Sequence, residues 1–216
     1  MKDIKKIVNL DYISIKPYFT LKNLIMMIFL YLVYFFVTSN PLTANSAILI
    51  FSIVYSSYPF LIGEAGIDSL YRIFGIKSEK VVLGRYVFAL LLFIFALLIS
   101  IVFSIIFSFF VETADIREFL ATSLAYLLVY LIFISLKYPL YFKFGYKKAK
   151  SISALTFALI GLLSFIVMAL KDSLNDLFIF MENNIFMTLL ISLLLVLLIV
   201  FMSIKLSQKF YKKRDF

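Results

Sequence analysis

The sequence predicts an all-α, polytopic membrane protein with six transmembrane helices and amphipathic helices at the membrane surface. Three observations predict it. Hydrophobic residues fill 64% of the 216 positions, and mean hydropathy is +1.07. Only 15% of residues are charged, against roughly 25% in a soluble domain. The charges are also gathered rather than spread. Uncharged runs cover 23–63 and 86–111, and the stretch between them carries seven charges. The chain reads as one transmembrane domain over 1–216, with no soluble domain.

Residues 1–22 are basic and mixed, with Lys2, Lys5, Lys6, Lys16 and Lys22 against Asp3 and Asp11. No small-residue cleavage site follows a short apolar core, so a cleaved leader is not expected. Ile4, Ile7 and Val8 form an apolar stripe suited to an interfacial helix. A span needs about 20 apolar residues, and the run over 23–63 is twice that. Its middle, TSNPLTANS, is a turn signal, so the run divides into spans near 24–37 and 47–63. Pro59 lies in the second, and a kink is expected there.

Glu64 to Tyr86 reads as a coupling helix over 67–80 followed by entry to the next span. Ile67, Leu70, Tyr71 and Phe74 recur at helical spacing and make an apolar face. Asp68, Ser69 and Arg72 fall on the opposite face. Gly75 ends the helix, because glycine tolerates the left-handed cap conformation. Span 3 covers 86–111, and a short acidic connection, ETADIRE, leads to span 4 over 119–136. An interfacial extension over 137–150 ends at Gly145 and the lysines that follow. Span 5 covers 151–170, and span 6 covers 183–204 after a segment with an apolar patch, LFIFM. A basic tail closes the chain.

Six spans can be checked by charge. Lys and Arg in short loops mark the cytoplasmic side. With both termini and the loops after spans 2 and 4 inside, 19 of the 21 Lys and Arg share one face. Arg117 and Lys171 alone fall on the other. The expected protein is therefore a multi-pass plasma-membrane protein with cytoplasmic N- and C-termini.

The chemistry is sparse. Cysteine and histidine are absent, which removes thiol chemistry, serine–histidine hydrolysis and the commonest metal ligand. No ionisable residue falls near the middle of a span, where ion-coupled carriers hold their charges. The segment IFGIKSEK lacks the glycine spacing of a phosphate-binding loop. Ser100, Ser104 and Ser108 share one face of span 3, at a spacing that suits close helix packing. No catalytic residue, metal site or cofactor is expected on this chain, and nucleic acid is not an expected partner.

Two segments carry a resemblance. FGIKSEKVVLGRY, 74–86, and YPLYFKFGYKKAK, 138–150, resemble the permease subunits of ABC-2-type ATP-binding-cassette exporters. More narrowly, they resemble the small six-span permeases of phenol-soluble-modulin and related peptide exporters. LDY, 10–12, is a third, shorter match. The chain departs from the pattern at Gly75, where proline is expected, and at Glu79, where a basic residue is common.

The resemblance implies an ATP-driven exporter in which two permeases, identical or paralogous, pair with cytoplasmic ATPase subunits. Those subunits would carry the ATP and Mg. Ile67, Leu70, Tyr71, Arg72, Phe74, Gly75, Lys77, Glu79 and Lys80 would couple to the ATPase, with Lys143, Gly145, Lys147 and Lys148 in a second cytoplasmic loop. The implied cargo is an amphipathic or hydrophobic peptide, exported by alternating access. A substrate-capture subunit of an energy-coupling-factor importer has similar size and span number. A passive membrane immunity protein is a third reading.

Overall fold

The computed structural model describes residues 2–38, 46–108, 116–170, 175, 179–180 and 183–214. Among these there is no strand. The helices are α1 (Lys2–Ile15), α2 (Leu21–Thr38), α3 (Ser46–Tyr55), α4 (Tyr58–Ile62), α5 (Asp68–Ile73), α6 (Ser78–Ser108), α7 (Ile116–Phe144), α8 (Tyr146–Ala169) and α9 (Ile185–Lys213). A π-helical turn, Gly63–Ile67, joins α4 to α5.

Among the described residues, three segments are long and apolar enough to cross a bilayer alone: Ser78–Ile106, Phe119–Phe144 and Met187–Lys213. A fourth candidate is the pair Asp3–Tyr18 and Leu21–Val37, bent by 82°. The expected span over 47–63 is instead a shorter, broken helix. α3 ends at Tyr55 and α4 begins at Tyr58. The hydroxyls of Ser56 and Ser57 both donate to the Ile53 carbonyl at 3.0 Å. Pro59 sits in the first turn of α4, where its missing N–H costs nothing. The interruption thus falls just before the proline.

Other boundaries also differ from expectation. The expected third span begins as one continuous helix at Ser78, so Glu79 and Lys80 belong to α6 rather than to a coupling helix over 67–80. α7 passes through Pro139 without ending and stops at Gly145, whose φ of 77° favours glycine. Lys147 and Lys148 then open α8. The basic segment after 204 is helical, as the last turns of α9. The turn over 39–45, most of the acidic connection 112–118 and most of 171–183 lie outside the described residues.

The chain divides into two compact units, one reaching Ile134 and the other Ser135–Arg214. In the first, α1 packs along α6 through Ile7, Asp11 and Ile15, which recur every four residues and are all buried. This stripe is rotated from the expected one, since Ile4 and Val8 are only half-buried. Gly84 is what admits α1. A Cβ there would stand 2.6 Å from Ile7 Cγ2. Ile15 continues into a cluster with Tyr55, Phe88 and Leu92, and Tyr31, Phe35 and Ala96 form another. Ser100 is buried in this unit, in keeping with a packing role for its face. Tyr130 of α7 stacks on Phe93 and donates its hydroxyl to the Ala89 carbonyl at 2.8 Å.

In the second unit, Ser203 Oγ donates to the Ser135 carbonyl at 2.6 Å. Phe142 meets Tyr211 edge-on at 5.3 Å. Both contacts tie the C-terminal part of α7 to α9.

Candidate functional site

The loop between α4 and α6 is built around a recessed ion pair. Arg85 Nη2 lies 2.6 Å from Asp68 Oδ1, and both side chains are almost wholly buried. Two glycines make the geometry. Gly66 has φ 124°, which kinks the chain in the π turn and aims α5 back toward α6. Gly63 clears space for the pair, because a Cβ there would stand 2.6 Å from Arg85 Nη2 and 2.8 Å from Asp68 Oδ2. The Arg85 guanidinium also sits over the Phe60 ring, 4.5 Å from its centroid.

α1 seals the pair from the other side. Asp11 is buried, and burial pushes its carboxyl up to about 7. Arg85 pulls it back down, while Asp68 adds to the rise. Its Oδ2 has no hydrogen-bond partner among the described residues, and neither does the hydroxyl of buried Tyr71. The Tyr71 phenol is raised as well, first by burial and then by the charge of Asp11. The end of α1 is fastened separately. Lys80 pairs with Asp3, holding the Asp3 carboxyl below its ordinary range.

Asp11 therefore faces Arg85 of α6 and Asp68 and Tyr71 of α5, and burial favours its protonated form more than in a free carboxyl. Its folded value lies above the unfolded one, so the native state holds the extra proton. That contribution is complete below about pH 4 and is lost as pH rises through about 7. Asp11→Asn should remove the dependence. Between pH 5 and pH 8 the wild type should lose about 3 kcal/mol relative to the variant. Thermal melting of both proteins in detergent checks this, and parallel pH profiles would refute it.

The expected coupling residues divide around this socket. Tyr71 turns inward and Ile67 is half-buried, while Leu70, Arg72, Phe74, Lys77 and Glu79 are exposed. The expected apolar face of Ile67, Leu70, Tyr71 and Phe74 is thus not one surface. Asp68, expected on the exposed polar side, is instead the most deeply buried residue of α5. Asp68 and Tyr71, three residues apart, turn inward together, so the buried side takes one residue from each expected face. What projects instead is an apolar tip of Leu70, Ile73 and Phe74, the last two 75% and 74% exposed.

Gly75 closes this tip with φ 66°. The Ile76 N–H donates to the Tyr71 carbonyl and the Gly75 N–H to the Arg72 carbonyl, each at 2.9 Å. That is the paired bonding of a Schellman cap. The stop expected at Gly75 is therefore found, and it fixes where Phe74 points.

The second loop lies in the other unit. Lys143, Lys147 and Lys148 are exposed around buried Gly145. Lys143 is held near the rings of Phe144 and Phe210, at 4.7 and 5.2 Å.

Sequence reasoning passed over Asp11, Gly63, Gly84 and Arg85 as site residues. The signal was present in LDY and VLGRY, two of the segments on which the resemblance rested. Each places one charge between apolar residues, and the structure brings those charges together.

Among the described residues, no group of three or more acidic, histidine or cysteine side chains is placed to hold a metal. The arrangement holds and orients the loop. Fold and site together define a helical membrane protein that presents a braced, projecting loop. A family model described as ABC-2 family transporter protein matches residues 6–212, and the chain belongs to that family. It is thus a permease-type transport subunit, of a family that generally works with a cytoplasmic ATPase. No curated protein and no solved structure matches the chain.

Proposed function

We propose that this chain is the permease of an ATP-driven exporter and is moved through the tip formed by Leu70, Ile73 and Phe74. The observation that supports this best is an apolar tip exposed on a loop that is otherwise rigidly anchored. Exposed aromatic and aliphatic side chains beside Arg72 and Lys77 suit a groove on a soluble protein. The buried pair beneath them would carry a push into α6, which is long enough to cross the membrane. A lever of this kind needs a stiff joint, and the Asp68–Arg85 contact is one.

The proposed transporter contains two permeases, identical or paralogous, and a cytoplasmic ATPase that binds ATP and Mg. Six spans with both termini inside account for the charge asymmetry. The cargo we favour is an amphipathic or hydrophobic peptide, on the resemblance to modulin exporters. No observation favours a nutrient-capture subunit or an immunity protein over this reading.

The chain has no cysteine, so single introduced thiols report cleanly. Ile73→Cys in intact cells should resist a membrane-impermeant maleimide and react once the cytosol is opened. It should also cross-link to an ATPase expressed from the same operon. Labelling from outside intact cells would end the proposal.

A further inference from the structure

The first unit contains a cavity of about 1200 Å³ that the coupling loop does not use. It opens in the angle where α1 turns 82° into α2. Its basic side is made by Lys5, Lys6 and Lys16, from α1 and the turn after it. Its walls are apolar, drawn mainly from α3 and α6. No acidic residue lines it among the described residues, and none of the three lysines belongs to an ion pair there. Lys5, Tyr12 and Lys16 lie along the stripe beside the buried Ile7–Asp11–Ile15 stripe. Lys5 and Lys16 are therefore carried on the helix that this packing docks and the turn after it.

We infer that this cavity binds one anionic membrane lipid, with its headgroup among Lys5, Lys6 and Lys16 and an acyl chain along α6. Charge and shape both point to this occupant. All three positive charges lie on the α1 side, while the facing wall from α3 and α6 is almost wholly apolar. On α6 the lining residues Phe88, Leu91, Phe95 and Ile99 recur at helical spacing. They cover about 16 Å of the helix axis, close to the roughly 15 Å depth of one leaflet. A soluble anion would leave that wall uncovered, and an uncharged lipid would bring no negative charge to Lys5 and Lys16.

The occupant would act as a wedge. It fills the space between α1 and the spans, and so supports the helix that covers the Asp11 side of the ion pair. This role does not depend on the ATPase or on the cargo.

The test is native mass spectrometry of the full chain in detergent, titrated with phosphatidylglycerol or phosphatidylcholine of matched acyl chains. One phosphatidylglycerol per chain should be retained, at least tenfold more tightly than phosphatidylcholine. Lys near an anionic headgroup is worth about fivefold each, so Lys5→Gln, Lys6→Gln and Lys16→Gln together should weaken binding by roughly a hundredfold. Lys147→Gln with Lys148→Gln, in the other basic loop, should leave it unchanged. Leu91→Trp, at a half-exposed wall position, should reduce retention with the headgroup site intact. Glycerol phosphate at millimolar concentration should not compete. Equal retention of the two lipids, indifference to the triple substitution, or competition by glycerol phosphate would each overturn the assignment. Displacement of the lipid by an amphipathic anionic peptide at equimolar concentration would overturn it in favour of a cargo site.

Discussion

Arg85→Leu is expected to destabilise the protein by roughly 3–5 kcal/mol, the usual consequence of removing one partner from a buried ion pair. The side chain is 1% exposed and its guanidinium is 2.6 Å from Asp68. After the substitution the Asp68 carboxylate remains in a space from which water is excluded. No second cation among the described residues is paired with it. The stacking of the guanidinium over Phe60 is lost as well. Thermal melting in detergent should show a large downward shift, together with loss of protection of α1 from proteolysis. The informative control is the double variant Asp68→Leu, Arg85→Met. Replacing both partners by apolar residues of similar volume is often neutral or stabilising, so this variant should recover most of the loss. If Arg85→Leu melts with the wild type, the pair does not anchor the loop. If the double variant melts as low as the single one, the deficit comes from packing rather than from stranded charge.

Phe74→Asp should have the opposite profile. The ring is 74% exposed and lies at the last turn before the Schellman cap. A carboxylate there costs the isolated permease little, since exposed substitutions generally change stability by less than about 0.5 kcal/mol. In the proposed transporter the same change places a charge in an apolar socket. Truncating an interface anchor costs 2 kcal/mol or more, and charging it costs further desolvation. ATPase recovery by affinity purification should fall at least thirtyfold while membrane insertion and melting stay as in the wild type. Export of a peptide cargo should fall with it. Normal recovery and normal export would refute the coupling assignment.

These two substitutions stand eleven residues apart in sequence, yet the first acts on the fold and the second on a contact. The difference shows what the sequence could reveal. The apolar runs disclosed a helical membrane protein, because hydrocarbon patterning is a local property of long segments. Gly75 disclosed the end of α5, because a left-handed cap leaves glycine at its position. The faces of α5 were not legible. Periodicity shows which residues share a side, not which side turns inward, and that orientation follows the kink at Gly66, φ 124°, two residues before α5. For that reason Asp68 looked like a surface carboxylate and is instead buried.

Arg85 and Asp11 were hidden for a different reason. Each is a lone charge at the edge of an apolar stretch, a position that normally signals the membrane boundary. Their meeting depends on Gly84, which permits α1 to lie against α6, and a close approach between helices so distant in sequence leaves no local trace. The break at Ser56 and Ser57 was half visible. Pro59 marked the region, but serine hydroxyls returning to the Ile53 carbonyl placed the interruption before the proline.

The contact between Ile7 and Gly84 also bears on how the protein is made. α1 leaves the ribosome before α6, and its seat there follows about 75 residues later, a delay of roughly 4–15 s at ordinary synthesis rates. During that interval Asp11 has neither Arg85 nor a dry environment, so it is ionised and wet. The nascent helix must wait with this acid in water and then give up hydration when α6 arrives and buries it beside Arg85. Biogenesis of the N-terminal unit is therefore a late capture event, and slowing translation between α5 and α6 would lengthen the time during which its first helix is open to proteases.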